Sequence, residues 1–319
     1  MICHITSPLW VVGTGAEGWL FAPRASAEPM VAIGNIDGPR VVGRDATDLR
    51  NVGFQLLDAV WLETTANALV GIPITETRLR RYSTWRFSWE QHTPWRAALP
   101  ADVTLVTGFA VANVENGIDL HVRSATDPAD TVLQGPLRSV RAALLDRLVA
   151  KGIKRVADRG TLCNRVSDVP PVHSAAYAAV CEGLQLLVLA GIELIAPRPE
   201  PEQRAAVALA GDLARAAASS DVAQLAWFAT ATRAHEAGGL ARDQRKAVLA
   251  SLRARTAHDD PIRRLAPGFY RRLGEVDTAR TLARAALAEL GAPEDDPYRA
   301  SPADPARDRY RAWLQGVIG

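Results

Sequence analysis

Cysteine is scarce in this 319-residue chain: three residues, Cys3, Cys163 and Cys181, are too few and too scattered for a disulfide framework. No C-x-x-C pair occurs, so they read as reduced thiols and the chain as cytoplasmic. Lysine is almost missing too, found only at 151, 154 and 246, so nearly all of the 37 cationic side chains are guanidinium. That group stays charged and favours two-pronged contacts with carboxylate or phosphate. Net charge is also small. With 35 acidic residues against those 37, the formal balance is +2, which excludes a long-range field and leaves nucleic-acid affinity to a local patch. Long apolar runs are absent as well. The most membrane-like stretch, 175–196, is broken by Glu182, Gln185 and Glu193, whereas a spanning helix needs about 20 predominantly apolar residues. It reads as a buried core helix, and no membrane partner is expected. Met1-Ile2-Cys3-His4 lacks the basic and long apolar regions of a signal peptide.

What is present is a core-forming composition, 48% hydrophobic and 23% charged, which excludes a disordered chain. The expected fold class is α+β: an antiparallel, hairpin-based sheet with packed helices over residues 1–168, followed by an all-α helical domain over 172–319. Short apolar runs with turn signals, Met30 to Ile36 and Arg40 to Val42 around Asp37-Gly38-Pro39, mark strands in the first half. A helix capped by Asp45 or Thr47 carries Leu49, Val52, Leu56, Val60 and Trp61 at helical spacing and should end near Gly71. Val103 to Val114 and Ile118 to Val122 flank Glu115-Asn116-Gly117, a strong hairpin signal because Asn-Gly accepts positive φ. A helix from Leu137 should stop at Gly152 in a left-handed cap, with Ile153 packing back. Pro170-Pro171 divides the halves. Beyond it, helices are expected over about 174–195, 201–218, 221–236, 240–256, 262–274 and 276–290, with a short last one near 307–317. Gly274, Ala279 and Ala286 match part of a helical-repeat unit, but no 34-residue period supports an array.

Three stretches carry candidate chemistry. Gly13, Gly15 and Gly18 fit G-x-G-x-x-G, in which glycines let a backbone approach a cofactor pyrophosphate, and Asp37 stands where a ribose-holding acid would. Pro23 and Pro29 leave no room for the crossover helix, so the cluster reads better as a bend between strands, and no cofactor is named. Residues 78–96 combine Arg78, Arg80 and Arg86, which lie mostly ahead of or opposite the aromatics, with Trp85, Phe87 and Trp89, a set able to stack bases and hold phosphates. The same period of two fits the core face of an ordinary strand. In 118–123, Asp119, His121 and Arg123 share one face of a strand and Ile118, Leu120 and Val122 the other. One face then offers a carboxylate, an imidazole that titrates near neutrality and an anion-binding fork. A plain solvent-facing strand shows the same alternation. The six histidines have no metal-ligand spacing, and a Cys163–His173 pair would need the fold to join it.

The leading expectation is an enzyme acting on a small anionic substrate in a cleft between the domains. Asp119 and His121 would handle protons, and Arg123 or an arginine of 78–86 would anchor the anion. The alternative is a non-catalytic binding protein that contacts nucleic acid through 78–96 or a protein partner through its helical half.

Overall fold

The computed structural model describes residues 2–6, 29–37, 52–74, 104–112, 118–124, 127–135, 137–155, 174–255, 261–291 and 305–319. The sheet holds β1 (Ile2–Thr6), β2 (Met30–Asp37), β3 (Asn67–Ile74), β4 (Thr104–Ala112), β5 (Ile118–Ser124) and β6 (Asp127–Gly135), in the order β1-β3-β2-β4-β5-β6. Its two sides differ. The pairs β1·β3, β4·β5 and β5·β6 are antiparallel, but β2 runs parallel to both β3 and β4. The α+β class holds, with helices the larger part, but the antiparallel hairpin-based sheet expected from sequence is corrected to a mixed sheet with a parallel centre. The physical reason lies in the connection, since parallel neighbours cannot be joined by a tight turn. Helix α1 (Val52–Glu63) supplies the crossover from β2 to β3. Val31, Ala32 and Ile33 are fully buried in succession, as a strand covered on both faces requires.

Helix α1 ends eight residues before Gly71, at Glu63. The side chain of Thr64 turns back to donate to the Val60 carbonyl at 2.7 Å and accepts from the Ala66 amide, which uses up the groups that would continue the helix. The uninterrupted run Ala68-Leu69-Val70-Gly71-Ile72 then enters the sheet as β3. Helix α2 (Leu137–Ala150) ends as its sequence predicts, with Gly152 at φ 93 and the Ile153 amide on the Leu148 carbonyl at 3.1 Å.

The helical half consists of α3 (Ser174–Gly191), α4 (Glu200–Ala216), α5 (Asp221–Glu236), α6 (Arg242–Ala254), α7 (Pro261–Arg272), α8 (Val276–Glu289) and α9 (Pro305–Ile318). Their ends follow local chemistry. Ser220 caps α5 by accepting from the Ala223 amide, and Gly274, at φ 80, makes the turn between α7 and α8. Arg272 locks α7 to α5 through a two-pronged contact with Glu236 at 2.7 and 2.9 Å. One hydrophobic cluster runs from Val31 and Ile33 through Leu56 and Tyr177 to Phe228, Phe269 and Val317. The sheet and the helical half therefore share a core.

Candidate active site

Strand β5 carries Asp119, His121 and Arg123 at alternate positions, and its ladders fix what stands beside them. Asp119 pairs with Val111 of β4 and Gln134 of β6; His121 pairs with Phe109 and Val132; Arg123 pairs with Thr107. On the far side of β4, Phe109 is also the partner of Asp37, the last residue of β2. Positions 37, 109, 121 and 132 thus form one row across four strands, and residues paired directly across a ladder occupy the same face of a sheet.

A bulge creates this row. Ile33 pairs with Val106, so an unbroken register would set Asp37 opposite Ala110; a shift between Ile33 and Ile36 sets it opposite Phe109 instead. A one-residue slip moves a position to the other face of a sheet. Without the bulge, Asp37 would fall on the face that packs against the helices. With it, position 37 falls in the same row as position 121, the kind of change in register that a bulge produces. It also stands at the carboxyl end of the central parallel strand, where open α/β sheets bind their ligands.

The face is defined by its neighbours. Val31, Ile33 and Leu133 alternate with the row and pack into the core with Leu56 of α1 and Leu144 of α2. On the row's own face, Ala32 of β2 is fully buried, whereas Val132 of β6 is 42% exposed and Gln134 is exposed too. The surface that holds positions 37, 119 and 121 therefore passes from a covered centre to an open edge.

A second polar group lies at the joint between the halves. The Tyr177 hydroxyl of α3 donates to the Asp58 carboxylate of α1, and Cys181 sits one turn beyond Tyr177, with all three side chains buried. Burial, reinforced by the charge of Asp58, pushes the Tyr177 hydroxyl well above its ordinary 10.0 and the Cys181 thiol well above 9.0. A thiol held protonated is a poor nucleophile, and the Tyr177–Asp58 hydrogen bond ties α3 to α1. Because both acids bind their protons more tightly when folded, their contribution to stability is complete below pH 9.0 and is lost as the pH rises further. Urea midpoints between pH 8 and 11 should fall steadily above about 9, and the fall should shrink in Cys181→Ala; an unchanged slope in that variant would contradict the assignment.

Strand pairing sets positions 119, 121 and 123 along β5 and places position 37 in the row of position 121, a neighbour that sequence reasoning did not offer because it depends on a bulge. Gly13, Gly15 and Gly18 lie outside the described residues, as do Arg78, Arg80, Arg86, Trp85 and Trp89, and so do Cys163 and His173. Among the described residues no cluster of His, Cys, Asp and Glu is placed to hold a metal ion, and no helix is long and apolar enough to cross a membrane. No family model, curated protein or solved structure matches this chain.

Proposed function

We propose that the chain is an enzyme that acts on a small anionic substrate, a phosphorylated one being the best fit to a guanidinium anchor. The observation that supports it most is the row that sets Asp37 and His121 on either side of Phe109, with Asp119 and Arg123 two positions along β5 in opposite directions. Residues two apart on a strand are about 7 Å apart, close enough for Asp119 to favour the charged imidazole and for the pair to exchange a proton with a bound molecule. Strands lie about 4.8 Å apart, so the backbones at 37 and 121 are separated by roughly 10 Å. That gap admits a substrate lying over position 109, with a carboxylate on one side and an imidazole on the other. Arg123 would hold its anionic group by a two-pronged contact.

This reading moves the site from the cleft between the halves to the opposite face of the sheet. Helix α3 reaches the sheet through α1, by Tyr177 and Asp58, on the face that carries the core. The first experiment is a titration of isotope-labelled protein with inorganic phosphate, followed by NMR. Resonances of residues 107–111 and 119–123 should shift together and saturate, and Arg123→Gln should weaken the binding at least tenfold. Saturable shifts confined to other elements, or none at all, would overturn the assignment.

A further inference from the structure

The four C-terminal helices carry thirteen Arg or Lys against four Asp or Glu. Since the whole chain is only +2, everything outside them is net acidic. Many of these cations are already engaged. Arg245 meets Glu275 at 2.8 Å, Arg263 meets Glu289 at 3.1 Å, and Arg272 grips Glu236. Arg271, Arg280 and Arg311 donate to the carbonyls of Gly316, Ile318 and Gly291 near the ends of α8 and α9.

Helix α6 is different. Arg242, Lys246 and Arg253 are all exposed, and none of them pairs with a carboxylate among the described residues. At about 100° and 1.5 Å per residue, the three fall within roughly 40° of one another and span about 16 Å. By the same spacing Val248 and Leu252 lie on the buried side and buried Leu249 adjoins Arg242 and Arg253, so the strip runs along a flank of the helix. On its open side Ala250 adjoins the strip, with Asp243, Ala247 and Ala254 further round, all exposed. Asp243 is the one acid of α6.

We infer that this basic flank of α6 binds the phosphate backbone of a nucleic acid, without reading its sequence. A protein partner fits this surface poorly, because protein interfaces centre on desolvated aromatic anchors beside arginine, and α6 carries no aromatic residue. The large exposed hydrophobic side chains among the described residues, Val132, Val149, Ile192 and Val276, all lie on other elements. Each strand of a duplex presents a phosphate about every 3.4 Å of helix axis, so a strip of about 16 Å lies beside several at once. Guanidinium and ammonium groups on such a strip position a backbone and carry no base preference. This surface is separate from the β5 row, and the two can fail independently.

The test is fluorescence anisotropy of the full chain with a labelled random-sequence DNA duplex and, in a parallel arm, a single-stranded RNA of equal length, at salt from about 50 to 200 mM. Binding in either arm should weaken steeply with salt, and the tighter arm identifies the source of the phosphates. The R242Q/K246Q/R253Q variant should lose at least tenfold in affinity, and its log–log salt slope should be shallower by about 2 to 3. Arg253 also touches Tyr270 of α7, so R242Q/K246Q, which leaves that contact intact, should show the larger part of the loss. Absence of binding to both nucleic acids, or variants with wild-type affinity and slope, would overturn the inference. Binding to heparin alone would do the same.

Discussion

Replacing Phe228 by Ala should cost about 3 to 5 kcal/mol of folding stability. Phe228 is fully buried on α5, meets Phe269 of α7 edge-on at a centroid distance of 5.3 Å and lies against Trp227 at 5.5 Å. The loss has two parts, the transfer energy of the ring and the cavity it leaves. Collapse cannot relieve the second part, because the neighbours are held in place. Gly211 brings α4 so close to Trp227 that a Cβ there would lie 3.1 Å from the indole nitrogen, so Trp227 cannot swing into the space. Phe269 belongs to α7, which Arg272 fastens to Glu236 at the end of α5. Domains are stable by only about 5 to 15 kcal/mol, so the variant should be marginal at physiological temperature. Urea unfolding should show a midpoint reduced by about a fifth or more with an unchanged slope. A loss below about 1 kcal/mol would mean that the ring is not enclosed by these helices.

On the chemical side, His121→Ala should reduce turnover of a phosphorylated small substrate by about 100-fold to 10,000-fold, the usual worth of a positioned general acid or base. Phosphate binding should survive, because the proposed anchor is Arg123 and the imidazole would contribute only its charge. Asp119→Asn should give a smaller loss and shift the pH profile toward acid, since the carboxylate favours the protonated imidazole. Arg123→Gln should instead raise KM with a smaller effect on kcat, as expected when an interaction equally present in ground and transition states is removed. The division between the variants is what matters. Equal losses of binding and turnover in His121→Ala would make the imidazole an anchor and not a proton carrier, and full activity would remove it from the site.

The helical half was legible because its signals are local. Apolar positions at steps of three and four, Pro199 before α4, Ser220 before α5 and Gly274 after α7 fix where helices begin and stop without reference to distant residues. The sheet was less legible, because strand pairing is a long-range property. Nothing near β2 states that its neighbours are β3 and β4, or that both ladders are parallel. The false extension of α1 to Gly71 had the same root. Leu69 and Val70 extend a helical apolar pattern as readily as they build a buried strand, and only the fold of Thr64 onto Val60 decides between them. For the proposed site, period two along β5 was enough to set positions 119, 121 and 123 in one row of that strand. Asp37 escaped because its face depends on a single shift in register between Ile33 and Ile36, which alternation along one strand cannot reveal.

The most direct measurement is the NMR titration of the His121 imidazole in the wild-type chain, in Asp37→Asn and in Asp119→Asn. If the proposed row is right, the midpoint in the wild-type chain should lie higher than in either variant, with Asp119→Asn giving the larger drop. A midpoint that neither substitution moves would contradict the proposal that the three residues share a face.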